Sequence, residues 1–271
     1  MKRILLLACL TLAAHPTLAA PKADLWPLWN KQNNANSASI DHSAWQRFLD
    51  AHVETHPDGI NRVDYAGIAG GPGEILLKSY LRESTALDPR TFNRDEQFAY
   101  WVNLYNALTI DLVLRYPRKK SIRRMGERFF SIGPWNDPVA TIAGESVTLN
   151  DIEHRILRPI WRDHRIHFAV NCASLGCPNL SKTAFTAANS EAQLAAAERT
   201  YLAHSRGVEI TGNNKVRLST IFKWYRVDFA GTEQELVSAY IGRHRPDVAA
   251  LAREGRVRVS YEYDWALNGK E

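Results

Sequence analysis

Cysteine is nearly absent from this chain: the 271 residues contain three. Cys9 falls in the apolar N-terminal segment, so only Cys172 and Cys177 remain for the rest of the protein. One pair excludes a scaffold stapled by several disulfides. A membrane-spanning run is also lacking. A span needs roughly 20 apolar residues, and the apolar stretch at residues 4–14 is too short. A strong charge of one sign is missing as well. Thirty-four Lys and Arg face 29 Asp and Glu, a formal charge of +5. Without Lys2 and Arg3 it falls to +3, because residues 1–19 hold no acid. Acids and bases are interspersed, which gives no footing for nucleic-acid binding. No internal repeat and no low-complexity tract stands out.

What is present begins with a leader. Met1-Lys2-Arg3 precedes a short apolar core, and Thr17, Leu18 and Ala19 offer a small-residue cleavage site. This is the layout of a secretory signal peptide over residues 1–19. Leu6-Leu7-Ala8-Cys9 resembles a lipoprotein box, but too few apolar residues precede Cys9. The expectation is a periplasmic or secreted protein in a thiol-oxidising compartment. Residues 20–40 are polar and Asn-rich, with Trp26, Leu28 and Trp29 as apolar anchors, and read as a linker or loosely docked arm. Residues 41–271 read as one domain, large enough for a substantial core.

Helical spacing of Trp45, Phe48, Leu49 and Val53 predicts a helix after Asp41, its N-cap candidate. A second helix is expected over residues 74–87. The strongest signal lies at residues 94–116, where Phe98, Trp101, Tyr105, Leu108 and Leu112 form a broad apolar stripe. Asn93 and Glu96 have the spacing of a capping box. Asn103 and Asn106 sit at the edge of that stripe, one turn apart, and mid-helix Asn is mildly unfavourable. They are candidates to bond something specific, such as a catalytic imidazole, or else to lie exposed. An aromatic loop is expected at residues 129–135. Hairpins are predicted at residues 139–149 and 208–218, and helices at 190–204, 233–241 and 247–253. A strand at 166–170 leads into the cysteine turn, and a last strand covers 257–261. Helices mix with antiparallel hairpins without a βαβ rhythm. The fold class is therefore α+β, an antiparallel sheet with hairpins packed against several helices.

Several motifs together resemble the domain of unknown function 547 family. They are Phe98 to Ile110 with its Asn103 and Asn106, Ile152-Glu153-His154-Arg155-Ile156-Leu157-Arg158, and His167 through Cys172 to Pro178. Ser219 to Phe229 and Tyr263-Asp264-Trp265-Ala266-Leu267-Asn268 complete the set. The resemblance covers residues 41–271 and carries no activity with it. A looser similarity of layout is to papain-like and transglutaminase-like thiol enzymes. In those a cysteine opens a helix and a histidine comes from a separate segment; the order here would be circularly permuted.

Cys172 follows an apolar strand and precedes a small-residue turn, so it is the candidate nucleophile. Backbone N–H groups of Ala173, Ser174 and Leu175 are candidate oxyanion donors. His167 would stand about 16 Å from Cys172 along an extended strand and on the opposite face. His154, on a separate helix, is therefore preferred as base. Glu153 is adjacent to it, but helix neighbours point about 100° apart, and its role is open. Trp224, Tyr225, Phe229, Tyr263 and Trp265 are candidates to line a groove or simply to fill the core. The leading expectation is a thiol hydrolase or acyl transferase acting on an amide or peptide-type bond of a peptide or cell-envelope substrate, with no cofactor. Two alternatives stand beside it. One is an interaction module stapled by a Cys172–Cys177 disulfide. The other is a zinc site using His154, His167 and the cysteines.

Overall fold

The computed structural model describes residues 21–127, 133–255 and 257–270. The leader with Cys9, and most of the aromatic loop expected at residues 129–135, lie outside them. The centre is the helix Arg94–Leu114, whose residues from Glu96 to Ile110 are all buried. It therefore has neighbours on every side, and the stripe predicted from sequence is only part of its buried surface. Asn93 caps it, its Oδ1 accepting from the amides of Asp95 and Glu96. The reciprocal half of the expected capping box is not made. Glu96 turns away and accepts from the amide of Ile40 at 2.9 Å, pinning the incoming chain.

Helices Ser43–His52 and Pro72–Ala86 pack on one side of this centre. The short antiparallel pair Val53–Thr55 and Asn61–Val63 joins them. Asp41 binds the amide of Ser43, and the helix starts two residues after it. The hairpin Pro138–Ile142 with Glu145–Thr148 forms as predicted. So does Val208–Gly212 with Lys215–Ser219. The last strand, Arg258–Glu262, adds to Lys215–Ser219 in parallel. The class is α+β, with three small sheets among the described residues rather than one antiparallel sheet. No described helix is long and apolar enough to cross a membrane.

Residues 166–170 differ from expectation. Ile166–Ala169 is one helical turn, not a strand. It is wound by bonds from the amides of Ile166, His167 and Phe168 to the carbonyls of Asp163, His164 and Arg165. All its side chains are buried. A short segment buried on every face has no polar side to report its period, so strand and helix look alike in sequence.

The polar segment after Pro21 also differs from a linker. Trp29 is 1% exposed and packs edge-on against Trp101 of the central helix at 5.2 Å. The reason this arm docks lies at Asp151–Leu157, which is wound as a π-helix and continues as the α-helical turn Arg158–Trp161. In π spacing the carbonyl of His154 would accept from residue 159, and in α spacing the carbonyl of Arg155 would do so. Residue 159 is proline and has no N–H. The arm supplies the missing donors. The amide of Asp24 binds the His154 carbonyl at 3.0 Å, and that of Trp26 binds the Arg155 carbonyl at 2.9 Å. The Arg155 guanidinium lies over the Trp26 ring at 4.5 Å.

Candidate thiol site beside a buried histidine cluster

The cysteine loop is held from three sides. Asn106 of the central helix donates to the Ala169 carbonyl at 3.0 Å and accepts from the Asn171 amide at 2.8 Å. Asn103 does the same for Phe185, accepting from its amide and donating to its carbonyl. Both asparagines are buried and committed to backbone, so neither orients an imidazole. The third side is the C-terminal segment. The amides of Leu175 and Gly176 donate to the carbonyls of Ala266 and Asp264, and the amide of Asn268 donates to the Ala173 carbonyl. Gly176 is required by this crossing. A Cβ there would stand 2.8 Å from the Asp264 nitrogen and 2.9 Å from its oxygen.

Within the loop Cys172 is partly exposed and Cys177 is buried, and both are free thiols. Their sulfurs lie 2.9 Å apart. The Cys172 sulfur also meets the Ser174 Oγ at 3.3 Å and the Tyr263 hydroxyl at 3.1 Å. These two hydroxyls contact each other at 2.9 Å. The hydrogen bond from Cys177 does most to lower the Cys172 pKa. Burial opposes it, and Ser174 and Tyr263 lower it further. Burial holds the Cys177 thiol well above its usual range, and Cys172 beside it adds to that rise. Ala173, between the nucleophile candidate and Ser174, has φ of +58°, a left-handed conformation costly for a residue with a Cβ.

The histidines form a second cluster. His167 gives its Nε2–H to Asp228 Oδ2 at 2.7 Å, has Glu153 Oε1 3.4 Å from Nδ1, and stacks on Tyr225 with ring centres 4.0 Å apart. Arg158 binds the same Asp228 oxygen through Nε at 2.7 Å. Its Nη1 reaches the Pro21 carbonyl and His154 Nδ1, at 2.8 and 3.1 Å. A guanidinium can only donate, so His154 Nδ1 is the acceptor and the neutral ring carries its proton on Nε2. Burial pushes the His154 pKa down to about 4, against the pull of Glu153. Burial alone would raise the Glu153 carboxyl, but the neighbouring His154, His167 and Arg158 hold it at about 2. His154 is itself uncharged at neutral pH, so there the charge of Arg158 is what favours the ionised Glu153.

The two clusters adjoin. Tyr105 donates to Glu153 Oε2 at 3.4 Å, and the Glu153 charge is close enough to oppose ionisation of Cys172. No hydrogen bond joins Cys172 to an imidazole among the described residues. His154, Glu153 and His167 are thus brought together with one another, and Cys172 is brought together with Cys177, Ser174 and Tyr263. The 16 Å separation expected for His167 rested on a strand that is a helical turn. Its placement follows instead from its bond to Asp228, with Glu153 beside its other nitrogen. Two of the three candidate oxyanion amides are already used: Ala173 donates to Asn171 Oδ1 and Leu175 to Ala266. No group of three or more His, Cys, Asp or Glu side chains among the described residues is placed to hold a metal ion.

Sequence reading passed over the Ser174 hydroxyl, Asp228 and the contact of Tyr263 with sulfur. Tyr263 and Asp228 did carry a signal, since both lie in the motifs of the family resemblance. Trp224, Tyr263 and Trp265 form a half-buried aromatic group beside the thiol, with ring centres 4.5 to 5.5 Å apart. A cleft of about 490 Å³ lined by Trp161, His164, Arg165, Glu198, Tyr240 and Arg243 includes none of the thiol-site residues.

No curated protein and no solved structure matches the chain. Residues 89–202 match the model of the family described as "Protein of unknown function, DUF547". That span holds the central helix, the π-helix and both cysteines, so the family resemblance read from the motifs is shown over this segment.

Proposed function

We propose that this protein is an exported, thiol-dependent hydrolase or acyl transferase acting on an amide or peptide-type bond, with Cys172 as nucleophile. One observation carries the reading. A partly exposed cysteine, in a loop braced on three sides, is met by three groups that favour its thiolate. The aromatic group of Trp224, Tyr263 and Trp265 gives a substrate an apolar wall next to that sulfur. In the proposed step the thiolate attacks the acyl carbon, and the bond to the leaving amine breaks. The Tyr263 hydroxyl gives the amine its proton, and the water that hydrolyses the thioester returns one. Burial keeps the Tyr263 hydroxyl protonated, well above the usual phenol range, so the O–H is in place beside the sulfur. His154 enters as the base only when Arg158 leaves its Nδ1, because that nitrogen holds the lone pair a base needs. Glu153 then remains as the carboxylate beside both imidazoles.

The test pairs an anilide and a p-nitrophenyl ester of the same acyl group. The expected result is an acyl adduct on Cys172 by intact mass, absent in Cys172→Ala. Tyr263→Phe should slow the anilide by about 100-fold, the scale of a lost general acid, and spare the ester, whose leaving group needs no proton. A loss in His154→Ala, together with a gain in Arg158→Ala that disappears when His154 is also replaced, would assign the base to His154. No adduct on Cys172, with alkylation by iodoacetamide following an ordinary thiol pH curve, would defeat the reading.

A further inference from the structure

The pair Cys172–Cys177 has a geometry that acyl transfer does not need. Acyl transfer uses one sulfur, yet a second stands 2.9 Å away, within about 1 Å of the length of a disulfide bond. The two are unequal. Cys172 is partly exposed, and Cys177 is buried behind it. The turn between them is already closed. The Cys177 amide donates to the Ser174 carbonyl at 3.1 Å, and Asn171 Nδ2 holds the Pro178 carbonyl at 2.7 Å. The Cys172 amide points at the Cys177 sulfur at 3.0 Å, where it would stabilise negative charge on that atom. An outer attacking thiol, an inner resolving thiol and a preformed ring are the parts of a thiol–disulfide exchange centre.

We propose that Cys172 and Cys177 form a reversible redox couple that exchanges electrons with disulfides small or extended enough to reach Cys172. The Cys172 thiolate attacks one sulfur of a substrate disulfide, and the substrate S–S bond breaks. The first substrate thiolate leaves and takes up a proton. Cys177 then loses its proton and attacks the Cys172 sulfur. The Cys172–Cys177 bond forms, and the second substrate thiolate leaves with that proton. The substrate gains two electrons as two thiols, and the protein loses two as a cystine. The reverse sequence oxidises a dithiol. This inference shares Cys172 with the acyl-transfer reading but does not rest on it, and in the cystine form Cys172 is closed to acyl chemistry.

The experiment uses the mature protein with mixtures of reduced and oxidised glutathione, quenched with acid and read by intact mass after alkylation. The wild type should pass from two free thiols to an internal cystine across the series. Mixed disulfide should stay below about a tenth of the total, and dithiothreitol should reverse the change fully. Cys177→Ser should stop at a stable mixed disulfide with glutathione on Cys172. Cys172→Ser should give neither species. A wild type that accumulates mixed disulfide as the Cys177→Ser variant does would overturn the proposal. So would a cystine that excess dithiothreitol does not open. The acyl adduct on Cys172 in reduced protein is measured separately, so loss of one activity does not imply loss of the other.

Discussion

Asn106 shows how a single side chain places the reactive loop. Its amide holds the carbonyl of Ala169 and the amide of Asn171, so it fixes the backbone on both sides of Val170 and just before Cys172. Both bonds are buried, and removing their partner leaves a donor and an acceptor without water. Each such loss costs about 1–3 kcal/mol. Asn106→Ala should therefore lower stability by about 2–6 kcal/mol in urea unfolding, and should slow alkylation of Cys172 in the folded protein. Asn106→Asp keeps the acceptor for the Asn171 amide but sets a buried carboxylate oxygen against the Ala169 carbonyl, so it should also be destabilised, and more at neutral pH than at a pH where that carboxyl is protonated. A loss in Asn106→Asp that does not change with pH would contradict this burial. Sequence singled out Asn106, because amides in an apolar helix demand partners. It did not name the partners, because they are backbone groups 63 and 65 residues away. Cys172 was legible for the same reason as Asn106: it is a rare chemical group in an apolar setting. The contact of Tyr263 with that sulfur was not, since an aromatic side chain reads alike as core or as groove lining.

At the scale of elements, the π-helix and the N-terminal arm depend on each other. Pro159 removes a donor from the helix, and the arm fills the gap through Asp24 and Trp26. Pro159→Ala restores a competing N–H. The expected outcome is faster hydrogen exchange at the Asp24 and Trp26 amides, with the arm still anchored by Trp29. Unchanged exchange would mean that the proline is incidental. Trp29→Ala should cost about 3–5 kcal/mol, as for other buried large-to-small changes. Helices and hairpins with a polar face, such as Pro72–Ala86 and Val208–Gly212, were legible because one side meets water. The turn Ile166–Ala169 was not, because burial on all sides erases the period. The anchoring of the arm by Trp29 was legible, but its bonds through Asp24 and Trp26 were not, because they use main-chain amides, which every residue but proline possesses.

For the whole molecule, the buried histidines set the response to acid. Burial holds His42 at about 4, with Asp41 pulling the other way, and holds His154 at about 4 against Glu153. In the unfolded chain a histidine titrates near 6.5. Between these values the unfolded state binds protons that the folded state refuses. Stability therefore falls as pH drops from about 6.5 to about 4. For His42 the difference amounts to about 3 kcal/mol. Glu153, held at about 2 against an ordinary 4.5, adds a further loss as pH falls through that lower window. Urea midpoints measured from pH 7 to pH 4 should decline steeply, and His42→Gln should flatten the slope. A wild-type midpoint constant over this range would contradict the buried neutral state of both rings.

The lacing of residues 263–268 over the cysteine loop sets an order of events in biosynthesis. Cys172 is made 91 residues before Tyr263, the hydroxyl that steadies its sulfur. A chain in which residues 263–268 have not yet docked thus lacks the Tyr263 contact on that sulfur, and the proposed centre is complete only once they have closed over the loop.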